Sequence, residues 1–148
     1  MKRLMAASAC AVMLLAGAST GVASAAQPTP SPASNTAVVC DKSRTTVLDG
    51  IKPFTEELDR AGVAATQGDL AGADRLVRQS GTVLMQVAEK LRKDAEPAQS
   101  AELRKALEDV AKELETLGTG LTGVGSLQNF NTKRLEVLAN RVAEICQK

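Results

Sequence analysis

From Leu103 to Leu121 the apolar residues stand at Leu103, Leu107, Val110, Leu114, Leu117 and Leu121, spaced by four and three in turn. That alternation draws one stripe along an α-helix and no face of a strand. The positions between carry Arg104, Lys105, Glu108, Asp109, Lys112, Glu113 and Glu115, with Arg104/Glu108 and Glu108/Lys112 one turn apart. A helix with so narrow a stripe is not stable alone in water, so the pattern requires partner helices.

The rest of the chain supplies them. Cys40, Val47, Phe54 and Ala61 recur every seven residues, with Ile51, Leu58 and Ala65 at the second seam position. This predicts a first helix from about Asp41 to Thr66. Pro53 has no N–H to give the Asp49 carbonyl, which predicts a kink there. Gln67-Gly68-Asp69 reads as a stop, a left-handed cap and a new N-cap. A second helix follows from about Leu70 to Lys93, with Leu70, Ala73, Val77, Ser80, Leu84, Val87 and Leu91 on one stripe. The third helix is expected from Ala98 or Ser100 to about Leu121. It frays through Gly118, Gly120, Gly123 and Gly125, since each glycine costs roughly 1 kcal/mol in a helix interior. A fourth helix opens near Ser126 or Asn131 and buries Leu135, Leu138, Ala139, Val142 and Cys146, with Leu127 and Phe130 in a leading turn. The fold class expected for residues 40–148 is all-α: an antiparallel up-down-up-down four-helix bundle closed by one disulfide, with the first helix kinked at Pro53.

The sequence before residue 40 has a different character. Lys2 and Arg3 precede an apolar run from Leu4 to Ala18 and the small residues Ala23-Ser24-Ala25. This is the plan of a secretory signal peptide over residues 1–25, cleaved after Ala25. Its apolar core is short for a bilayer span, and no later run is long enough for one, so stable membrane insertion is not expected. Leu15-Ala16-Gly17 is followed by Ala18 rather than the cysteine that a lipid anchor needs. The protein is therefore expected to be secreted, outside the cell or at the cell wall. Residues 26–39 form a Pro/Ser/Thr-rich segment with three of the chain's five prolines. Its low apolar content predicts an extended, mobile linker.

Export changes the cysteine count. Cys10 leaves with the signal peptide, and Cys40 and Cys146 remain as an even pair in an oxidising compartment. Each lies in phase with the apolar stripe of its own helix. An even number of antiparallel helices returns the chain to its starting end. An intramolecular Cys40–Cys146 disulfide is predicted.

Composition then removes whole classes of chemistry. The chain has two Phe and no His, Trp or Tyr. Without histidine there is no catalytic triad, no Cys–His dyad and no ordinary zinc site. Adjacent carboxylates such as Glu56/Glu57 and Glu113/Glu115 do not converge on one substrate from a helix and read as solvated faces. Residues 118–123 match the dinucleotide fingerprint in letters, but no strand precedes them to deliver the backbone, so they read as an interhelical loop. No enzyme, catalytic residue, metal or cofactor is expected. The precursor's net charge is +1, and loss of Lys2 and Arg3 leaves acidic and basic residues nearly balanced. Nucleic acid is accordingly not an expected partner.

The layout of signal peptide, early cysteine, helical body and near-terminal Cys146 resembles that of small exported proteins of high-GC Gram-positive bacteria, haemophores among them. That resemblance implies an exported helical carrier. Haem iron in such carriers is held by Tyr or His, which this chain lacks. The expected function is a secreted, non-enzymatic helical binding module that meets a protein or cell-envelope partner through an exposed helix face. The alternative is a carrier of a small apolar ligand in the bundle interior, with a void lined by Phe54, Leu84, Leu121 and Phe130.

Overall fold

A computed structural model describes residues 32–148, with side chains from residue 35. The expected signal peptide and the first part of the linker lie outside the described residues. The described chain is helical throughout: α1 (Pro32–Thr66), α2 (Leu70–Ala95), α3 (Ala101–Gly120), a short 3₁₀ helix (Val124–Asn129) and α4 (Lys133–Cys146). No described helix is long and apolar enough to cross a membrane.

Local chemistry sets the helix ends. At the close of α1, Gly68 takes a positive φ of 82°. The Asp69 N–H then reaches back to the Ala64 carbonyl and the Gly68 N–H to that of Ala65, the double bond of a glycine-capped helix terminus. Asp69 next caps α2 by accepting the Gly72 N–H at 2.8 Å. Ser100 does the same for α3 through the Leu103 N–H.

The start of α1 differs from expectation. The helix begins at Pro32 rather than near Asp41, so the segment 32–39, expected as linker, is helical. Burial explains the extension. Val39 is only 2% exposed and lies one turn before Ser43, which is buried on the same helix face. Asn35 also accepts the Gln99 N–H at 2.8 Å, fastening the first turns to the α2–α3 connection. The helix then runs through Pro53 to Thr66 as a single element.

The core is built mostly from residues of α2 and α3, with α1 packed along α2. Val77, Leu91, Leu103 and Leu107 are almost wholly buried, and Leu84, Val87, Val110 and Leu114 surround them. Glycines at two contacts let the helices approach. Gly50 on α1 leaves room for the Val87 side chain, which a Cβ there would strike. Gly81 on α2 faces Gly118 on α3, where an added Cβ would sit 2.6 Å from the Gly81 carbonyl oxygen. Gly118 is therefore a buried packing residue inside α3, not the beginning of a frayed segment. Polar anchors hold the same helix pairs in register. Asp94, buried near the end of α2, accepts the Thr46 hydroxyl at 2.6 Å and pairs with Lys42 at 3.0 Å. Arg78 donates to the Thr122 carbonyl, and the Asp74 carboxylate accepts the Val124 N–H at 2.7 Å.

α4 is the exception to tight burial. Only Ile145 is buried, Leu135, Leu138, Val142 and Cys146 are half-buried, and Ala139 is exposed. The helix lies against α3, where Arg134 pairs with Glu113 at 3.1 Å, and it barely meets α1. Its exception is at the far end. The Cys40 and Cys146 sulfurs are 1.99 Å apart and their Cα atoms 5.8 Å apart, so the two cysteines stand at disulfide-bonding distance.

Candidate functional site

Where α1 and α4 fail to close on each other, a cleft of about 550 Å³ remains. α1 contributes Cys40, Ser43 and Val47 to one wall, and α4 contributes Ala139, Val142 and Cys146 to the other. Leu91 of α2 and Leu107 and Val110 of α3 also line it. Cys40 and Cys146 both belong to the lining, so the disulfide pair joins the two walls. In a closed bundle the inward residues of α4 would be covered by α1. Here Ala139 and Val142 face α1 across a gap, which accounts for their incomplete burial.

The cleft is apolar apart from four side chains. Asp41, Arg44 and Gln147 are exposed, and Arg44 donates to the Asp41 carboxylate at 2.9 Å. The fourth, Ser43, is buried at 4% exposure, and its Oγ has no hydrogen-bond partner. Among the described residues it is the sole buried side-chain N or O atom in that condition. Buried hydroxyls are ordinarily satisfied, because an unmet one carries its full desolvation penalty. Ser80, the other almost wholly buried serine, meets the rule by donating to the Val77 carbonyl at 2.7 Å.

The residues expected to line an interior void, Phe54, Leu84, Leu121 and Phe130, are placed as follows. Phe54 and Phe130 come together, with ring centroids 6.0 Å apart, while Leu84 and Leu121 are buried in the core. Leu121 and Phe130 also border a second, more polar hollow with Asp74, Thr116 and the 120–126 turn. Phe54 and Leu84 line neither hollow. The glycine-rich 118–123 segment, expected as an interhelical loop, is helical over its first half. Gly118–Gly120 close α3, and only the residues after them form the turn, where Arg78 donates to the Thr122 carbonyl and Asp74 accepts the N–H of Val124 just beyond.

The carboxylates singled out in the sequence are held by basic side chains. Glu57 pairs with Arg60, Glu113 with Arg134 and Glu115 with Arg92. On the outer face of α2 the hydrogen bond and charge of Lys93 hold the Glu89 carboxyl below its usual range, and Glu89 raises Lys93 in return. That exposed pair lies outside the cleft and adds i,i+4 support to the helix.

Ser43 was not a candidate on sequence grounds. One signal was present: it is a polar residue one turn from both Val39 and Val47, on an otherwise apolar face. Helical serines are too often satisfied by their own backbone for that signal to stand out. With this geometry established, comparison adds no relative: no protein-family model, curated protein or solved structure matches the chain.

Proposed function

We propose that this is an exported, non-enzymatic helical binding protein, and that its ligand is a small apolar molecule seated in the cleft between α1 and α4. The observation that carries the reading is the cleft itself. Its volume is within the roughly 300–1,000 Å³ of small-molecule sites, and its lining is hydrocarbon with few polar groups. This ligand position is separate from the interior void expected among Phe54, Leu84, Leu121 and Phe130, none of which lines the cleft.

The finer architecture belongs to the same proposal. The helices run up-down-up-down, with a bend at Pro53. Contacts between Lys42 or Thr46 and Asp94, and between Arg78 and Thr122, support alternating directions. Secretion after cleavage at Ala25 supplies the oxidising compartment that the Cys40–Cys146 pair needs.

The test is titration with N-phenyl-1-naphthylamine, a neutral apolar dye that brightens out of water. With no Trp or Tyr in the chain, the emission belongs to the dye. Saturable one-to-one binding is expected, and Ala139→Trp is expected to abolish it. Ala139 is exposed on the α4 wall, so a large side chain there fills the cleft without entering the core. No saturable binding, or equal binding by the variant, overturns the proposal.

Exposed apolar side chains favour a second reading, a partner docked on α1. Leu48 is 61% and Ile51 50% exposed, three residues apart on one side of α1. If they form a docking face, Ile51→Glu releases the secreted protein from its cell-envelope fraction and leaves dye binding unchanged.

A further inference from the structure

We infer that Ser43 is the hydrogen-bonding anchor of the cleft, and that the ligand is an uncharged, mainly hydrocarbon molecule bearing one oxygen function such as an alcohol or ketone. This rests on the cleft being a ligand site and goes further by assigning the chemistry of what it holds.

Two observations converge on it. The first is the unmet hydroxyl. Ser43 is on the cleft wall, is 4% exposed, and has no partner for Oγ. Oγ is enclosed in the rotamer present, and rotation about χ1 turns it toward the cleft with no protein hydrogen bond to give up, where it serves a ligand oxygen as donor or acceptor. Binding there supplies a hydrogen bond without stripping water from the protein side.

The second is charge. The charged side chains of the lining are Asp41 and Arg44, both largely exposed and paired with each other at 2.9 Å. Nothing buried in the lining compensates an ionised group, and a carboxylate or ammonium taken inside would lose its hydration with no counter-ion. One neutral polar group on a hydrocarbon body matches one buried hydroxyl among Val47, Leu91, Leu107, Val110 and Val142.

The experiment compares 1-octanol, 1-chlorooctane and octanoate as competitors of the bound dye, on the disulfide-intact protein and its Ser43→Ala variant. Wild type is expected to bind octanol more tightly than octanoate. In Ser43→Ala, octanol is expected to weaken by about 3- to 10-fold, the worth of one hydrogen bond, with chlorooctane unchanged. Loss of the hydroxyl removes no hydrocarbon from the lining, so a general packing defect would weaken both competitors alike. Equal effects on octanol and chlorooctane, or no effect on either, overturn the anchor. Tighter binding of octanoate than of octanol overturns the uncharged ligand. In each of those outcomes dye binding that remains sensitive to Ala139→Trp leaves the cleft itself standing as the site.

Discussion

At the scale of single residues, a hydroxyl kept for a ligand carries a stability cost when the ligand is absent. Ser43 is buried without a partner, a condition worth about 1–3 kcal/mol of destabilisation. Ser43→Ala removes that penalty and places a better helix former in the middle of α1. In ligand-free protein the variant is expected to melt several degrees above wild type, measured by circular dichroism at 222 nm. A lower melting temperature would show that the hydroxyl is satisfied in solution. The glycine pair gives the opposite sign. A methyl group at Gly118 would press on the Gly81 carbonyl, which is backbone and cannot swing aside. Gly118→Ala is expected to destabilise by about 1–3 kcal/mol, the range for overpacking, despite alanine's better helix propensity. Local pattern is enough to identify Gly68 as a left-handed cap. Gly118 differs: it permits close approach inside a helix, and only the neighbouring helix reveals that role.

At the scale of elements, periodicity located helices more reliably than it located their neighbours. The α3 stripe is buried at Leu103, Leu107, Val110, Leu114 and Leu121, as the four-and-three spacing requires. The turn at Gln67-Gly68-Asp69 was legible because cap chemistry is local. The beginning of α1 was not legible, since its first turns are secured by contacts distant in sequence, Asn35 with Gln99 among them. α4 shows the limit most clearly. Its apolar positions read as a buried stripe, but an amphipathic pattern does not reveal whether one partner helix covers it or two. It has α3 on one side and the cleft on the other, and Ile145 is its sole buried residue. Hydrogen exchange is therefore expected to run fastest in α4 and the 3₁₀ helix, with protection in α3 extending to about Gly118. Slow exchange across Leu135–Val142, equal to that of Val110–Leu114, would mean that α4 is packed on both sides and that the cleft is closed in solution.

At the scale of the whole molecule, the Cys40–Cys146 pair joins the two walls of the cleft that otherwise hardly touch. The cysteines are 106 residues apart, so their bond closes a loop around nearly all of the described domain. Chain entropy alone gives such a closure about 4–5 kcal/mol of stabilisation, a large part of the 5–15 kcal/mol typical of a whole domain. The bond also fixes the spacing of α1 and α4, which share few other contacts. These two effects separate experimentally. The cysteines pack only at the edge of the core, and the fastening of α1 to α2 through Thr46, Lys42 and Asp94 involves neither. Cys146→Ser is expected to lower the melting temperature by about 10 °C or more while leaving the protein helical at 25 °C. Dye affinity measured at that temperature, well below the transition, is expected to fall far more than the folded fraction does, because α4 is then free to move off its wall. Mild reduction of wild type is expected to reproduce both changes, and reoxidation to reverse them. If dye affinity instead followed the folded fraction alone, the disulfide would contribute stability only. The shape of the cleft would then be set by the contact of α4 with α3, where Arg134 meets Glu113, and Glu113→Gln would become the substitution that opens it.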